Sequence, residues 1–104
     1  MNLKDKVIYV TGASLGIGYE IASELLKQDA KVVITARNKE NLDKAKNTLS
    51  KISNNVQAHA FDISDENELK KSMNNVYDHF GKIDGLVNNA PSIHPGMIKD
   101  MSLN

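Results

Sequence analysis

Eight consecutive residues, Thr11-Gly12-Ala13-Ser14-Leu15-Gly16-Ile17-Gly18, place three glycines and a hydroxyl between an apolar run and an amphipathic one. A helix N-terminus presents unpaired backbone N–H groups and partial positive charge, and glycines let an anion approach the backbone with no Cβ in the way. A glycine turn that leaves a strand and opens a helix is therefore expected to hold a dinucleotide pyrophosphate, through Gly12, Ser14, Leu15, Gly16, Ile17 and Gly18, with the Ser14 hydroxyl as an added donor. A mononucleotide phosphate loop would need Gly-Lys followed by Ser or Thr, whereas Tyr19 and Glu20 follow Gly18.

The next chemically telling position lies about 20 residues beyond the glycines, where NAD-binding folds commonly carry an acid for the adenosine ribose. Here Ala36 stands in that place and Arg37 follows it. A guanidinium can pair with a 2′-phosphate and stack beside adenine, so NADP(H) is favoured over NAD(H). The missing acid also argues against S-adenosylmethionine, which shares the topology and usually needs one. His59, His79 and His94 show no paired ligand spacing, and no metal site is expected.

The elements that must position these residues are legible from periodicity. Val7-Ile8-Tyr9-Val10 and Val32-Val33-Ile34 are apolar without alternation, as in central parallel strands buried on both faces. Between them Ile17, Ile21, Ala22, Leu25 and Leu26 form one helical stripe. A second helix is expected after Asn38, with Leu42, Ala45, Leu49 and Ile52 inward and Asn54-Asn55 as its end. Val56, Ala58 and Ala60 alternate with polar residues, which predicts a half-exposed edge strand. Ser64 is expected to cap a third helix that turns Leu69, Met73, Val76, Tyr77 and Phe80 inward and stops at Gly81, before a strand at Leu86-Val87-Asn88. The order β-α-β-α-β-α-β with right-handed crossovers predicts an α/β, Rossmann-like, doubly wound parallel sheet with spatial order 3-2-1-4, partial in extent.

With the glycine turn, Asp62-Ile63 after the third strand and Asn88-Asn89-Ala90 at the end of the fourth, the sequence resembles the short-chain dehydrogenase/reductase family over nearly all of its length. The resemblance implies that Asp62 and Ile63 border adenine, the Asp62 carboxylate near the exocyclic amine. It also implies that Asn88 ties strands together while Asn89 and Ala90 approach the ribose. Pro91 stands where the family usually has Gly; it fixes φ, lacks an N–H and restricts Ala90 to extended backbone, which works against those ribose contacts. Leu15 stands where some relatives have a basic residue, so phosphate recognition would rest mainly on Arg37.

The reaction implied is hydride transfer between nicotinamide and a carbonyl or alcohol carbon, with proton transfer by a Tyr whose phenolate is favoured by a Lys four residues later. Four residues beyond Tyr9, Tyr19 and Tyr77 stand Ala13, Ser23 and Gly81, so no catalytic residue is assigned and the chain is not expected to be active alone. The leading expectation is the cofactor-binding half of an NADP(H)-dependent oxidoreductase whose catalytic residues and oligomer helices would lie beyond Asn104. The alternative is a noncatalytic nucleotide-binding or interaction protein that ends there.

Bulk properties agree with one domain portion over residues 1–104. The 104 residues are 40% hydrophobic and 25% charged, with zero net charge and no Cys. Such a balance gives no general attraction to nucleic acid or anionic membrane, and the lack of Cys excludes disulfides and thiol nucleophiles within the chain. With no apolar signal core and no stretch of about 20 apolar residues, a cytoplasmic location is expected.

Overall fold

A computed structural model describes residues 2–89 of the chain. Four strands, β1 (Val7–Thr11), β2 (Lys31–Ala36), β3 (Val56–Ala60) and β4 (Gly85–Asn88), alternate with three helices, α1 (Gly16–Lys27), α2 (Lys39–Leu49) and α3 (Glu66–Phe80). All strand pairs are parallel and the sheet order is β3-β2-β1-β4, as the sequence predicts.

Successive side chains of a strand point to opposite faces, and here both faces are covered. Val10, Val32, Ile34 and Val56 pack with Ala22 and Leu26 of α1 and Leu42, Ala45 and Leu49 of α2. Val7, Tyr9 and Val33 pack on the other face with Leu69, Met73 and Val76 of α3. This is why β1 and β2 read as unbroken apolar runs. The edge strand β3 is half-buried over most of its length.

Three local expectations are corrected. Ile17 is 69% exposed and does not join the α1 stripe, because Gly18, one residue on, takes the sheet-facing position in that turn. Helix α2 ends at Leu49, before Asn54-Asn55: the N–H groups of Lys51 and Ile52 bond three residues back, to Thr48 and Leu49, which tightens the chain out of the α-helix and leaves Ile52 exposed. Asp65, not Ser64, caps α3, its carboxylate accepting from the N–H groups of Asn67 and Glu68, while the Ser64 hydroxyl donates to Asp62. Gly81 ends α3 at φ 81°, the left-handed conformation expected of a glycine stop.

Among the described residues no helix is long and apolar enough to cross a membrane.

Candidate functional site

The carboxyl ends of the parallel strands carry the site, since the loops that leave them gather at one rim of the sheet. Gly12 follows β1 directly and takes φ 65°, and Gly16 opens α1 at φ 63°, conformations that side chains rarely adopt. The intervening turn is anchored on both sides. Ala13 N–H donates to the Thr35 carbonyl of β2 at 3.0 Å, and the Asn89 side-chain amide donates to the Gly12 carbonyl at 3.1 Å.

Gly18 has a different duty from the other two glycines. A Cβ there would stand 2.4 Å from the Gly12 carbonyl oxygen and 2.9 Å from Asn89 Nδ2, so the third glycine lets α1 close onto the turn. Thr11 completes the join. Its buried hydroxyl oxygen accepts from Asn89 N–H at 2.9 Å and lies 3.2 Å from Asn88 Oδ1. Asn88 and Asn89 thus both tie β4 to the β1 end.

The three helix starts differ in one respect. Asn38 caps α2 and Asp65 caps α3 with their own side chains, but Leu15 at the start of α1 makes no side-chain cap and no acid lies in the first turn. The first amides of α1 therefore have neither an intrahelical acceptor nor a side-chain cap from Leu15.

Beside this end lies a cleft of about 260 Å³. It brings together Gly12, Ser14, Arg37 and Ile63 of the sequence-derived set, and adds Thr35 and Phe61. Phe61 and Thr35 escaped the sequence reading because an apolar residue and a Thr at strand ends look like ordinary core. Arg37 and Asp62 face one another at 3.7 Å, with side chains 78% and 47% exposed. The Ser64 N–H and hydroxyl, donating to Asp62 Oδ1 at 3.0 and 2.8 Å, hold the Asp62 carboxyl below its usual range, and Arg37 adds to this. Leu15 and Gly16 line a second groove of about 260 Å³ with Tyr19 and Lys44, and Ser14 borders both spaces. Leu15 is 69% exposed. Ala90 and Pro91 lie outside the described residues.

A family model described as short chain dehydrogenase matches residues 6–104. The chain is 39% identical over 90 residues to the Arabidopsis thaliana protein 11-beta-hydroxysteroid dehydrogenase-like 2, covering 86% of this chain and 29% of that one. It is 38% identical over 89 residues to an uncharacterized oxidoreductase of Staphylococcus saprophyticus, covering 86% of this chain and 35% of the relative. The chain thus spans about a third of the length of these curated relatives. A solved structure of a short chain dehydrogenase from Bacillus anthracis superposes with a TM-score of 0.81 at 34% identity, covering 86% of this chain and 36% of that one. A metagenomic short-chain oxidoreductase solved in complex with NADP gives a TM-score of 0.79 at 37% identity, with 86% and 41% covered.

Proposed function

Because the chain belongs to the short-chain dehydrogenase family, we propose that its glycine turn and the adjoining cleft bind a nicotinamide dinucleotide, NADP(H) in preference to NAD(H). The observation that carries this reading is the uncapped start of α1. Two helices satisfy their first amides with Asn38 and Asp65, and the third leaves them to an external anion next to Gly12 and Gly16. The residues fit such a ligand: Gly16 has open space where a Cβ would stand. In this reading the backbone of Gly12, Leu15, Gly16, Ile17 and Gly18, with the Ser14 hydroxyl, holds the pyrophosphate. Ile63 and Asp62 border adenine, and Asn89 lies toward the ribose.

The preference for NADP(H) is supported by Arg37 just after β2, where Ala36 stands in the place of an acid for the ribose hydroxyls, and by the NADP held in a structural relative. When bound, nicotinamide exchanges a hydride with a carbonyl or alcohol carbon. These 104 residues contain no Tyr-x-x-x-Lys pair, so the reading gives them cofactor binding and orientation and no proton transfer. Oxidoreductase activity is proposed for the whole protein. Its setting is proposed to be the cytoplasm, with no nucleic-acid or membrane partner, in keeping with zero net charge.

Titration of the full chain with NADPH and NADH, followed by nicotinamide fluorescence, tests both claims. Saturable binding with NADPH tighter is expected. Failure to bind either nucleotide overturns the site, and tighter NADH binding overturns the preference.

A further inference from the structure

Ser14 belongs to two spaces at once, the cleft that carries Arg37 and the groove that carries Lys44. On one side of the groove α1 contributes Gly16 and Tyr19. On the other, Asn41, Lys44, Ala45 and Thr48 follow one another at helical spacing and so share one face of α2. Ala45 is buried there and Lys44 is exposed.

The lysines of α2 differ in what surrounds them. Lys39 is held by Asp43 at 2.8 Å. Glu40 stands four residues before Lys44, a spacing at which helix ion pairs form, yet among the described residues no carboxylate pairs with Lys44. Lys46, two residues on, projects from another side of the helix. It acts on β3 instead, where burial and, after it, the Lys46 charge hold the His59 ring below its usual pKa.

Charge at the Ser14 corner calls for a further cation. Leu15 is exposed and uncharged, so the glycine turn supplies no basic side chain of its own. Arg37 already faces the Asp62 carboxylate at 3.7 Å. A phosphate monoester carries about 1.5 to 2 negative charges near neutrality, and an Arg shared with a carboxylate falls well short of that. Lysine suits the second position, because its ammonium is a compact charge on a flexible stem that needs no fixed approach.

We propose that Lys44 is a specificity-determining residue, its ammonium and the Arg37 guanidinium approaching the 2′-phosphate of NADP(H) from the two sides of Ser14. The proposal rests on the nucleotide reading of the cleft given above and adds to it the groove between α1 and α2. NADH has no phosphate at that position, so Lys44 acts on one nucleotide and not on the other.

Dissociation constants for NADPH and NADH are measured by nicotinamide fluorescence for the wild type, Lys44→Gln and Lys46→Gln. Both lysines are exposed and Gln is a good helix former, so the fold is retained. Lys44→Gln is expected to weaken NADPH about three- to fivefold, the upper range for an exposed charge pair, and to leave NADH within about 1.5-fold. Lys46→Gln is expected to change neither. An unchanged NADPH-to-NADH ratio in Lys44→Gln overturns the proposal, and so does an equal change in Lys46→Gln, which would mark a diffuse field in place of a local contact. Wild-type protein that binds neither nucleotide overturns the nucleotide reading and the role of Lys44 with it.

The 31P resonance of the 2′-phosphate in bound NADP gives a readout that a merely structural lysine would not move. The second ionisation of such a group lies at about pH 6, and a neighbouring cation lowers it by favouring the dianion. The pKa is therefore expected to be higher in Lys44→Gln than in the wild type and Lys46→Gln. Equal values in all three overturn the proposal while leaving the nucleotide site in place.

Discussion

Arg37 Nη1 stands 3.7 Å from Asp62 Oδ2, so the residue that follows β2 and a residue that follows β3 face each other at the cleft. The pair is exposed, and such pairs contribute little to stability because water screens them. Its consequence is positional. Asp62 keeps one oxygen on Ser64 and turns the other to Arg37, which holds a cation beside the space bounded by Thr35, Phe61 and Ile63.

Replacing Arg37 with Gln is expected to weaken NADPH about tenfold and to leave NADH within about twofold, since charge-assisted contacts to a 2′-phosphate are lost and NADH has none. Parallel fluorescence titrations of the two nucleotides give the ratio. Equal weakening of both would show that Arg37 acts on something common to them.

The sheet was readable in the sequence because strands buried on both faces leave unbroken β-branched runs, and Val7 to Val10 and Val32 to Ile34 are of that kind. The glycine turn was readable because strand and helix periodicities flank it. Contacts between distant side chains leave no periodic trace: Tyr9 and Ser72 are 63 residues apart, and Asn89 reaches Gly12 across 77. Adjacent candidates also cannot be ranked by residue type. Ser64 and Asp65 are both good caps, and the choice follows from where Asp62 sits, since it takes the Ser64 hydroxyl.

That competition can be measured. Asp65→Ala is expected to lower stability by about 1 kcal/mol through loss of the α3 cap, with Ser64→Ala costing less than half as much. Urea denaturation of the two variants provides the comparison, and a larger loss in Ser64→Ala would restore the cap to Ser64.

Gly18→Ala sets a Cβ against the backbone of Gly12 and Ala13, and neither can yield without moving the turn. A destabilisation of about 1–3 kcal/mol is expected, the usual range for overpacking. Gly16→Ala meets open space but a left-handed backbone, and about 1 kcal/mol is expected from conformation alone. Thermal unfolding of both variants separates the two roles, and equal losses would contradict the division between packing and conformation.

At the opposite end of β1 from the site, Asp84 Oδ2 accepts from Val7 N–H at 2.8 Å and lies 3.1 Å from Lys82 Nζ. Burial alone would raise this carboxyl, but the Val7 amide and the Lys82 ammonium, with Lys6 further off, outweigh it and hold Asp84 below its usual range. A carboxyl depressed in the folded state contributes stability above its unfolded pKa, about 3.9, and loses it as pH falls through the lower folded value. Asp84→Asn keeps an oxygen for Val7 N–H but removes the charge. The wild type is therefore expected to be more stable than Asp84→Asn at neutral pH, by less than about 1 kcal/mol after solvent screening, and the difference is expected to close on acidification below about pH 4. Urea midpoints across that range decide the matter. A gap that persists unchanged in acid would mean that the Asp84 charge has no part in joining β1 to β4.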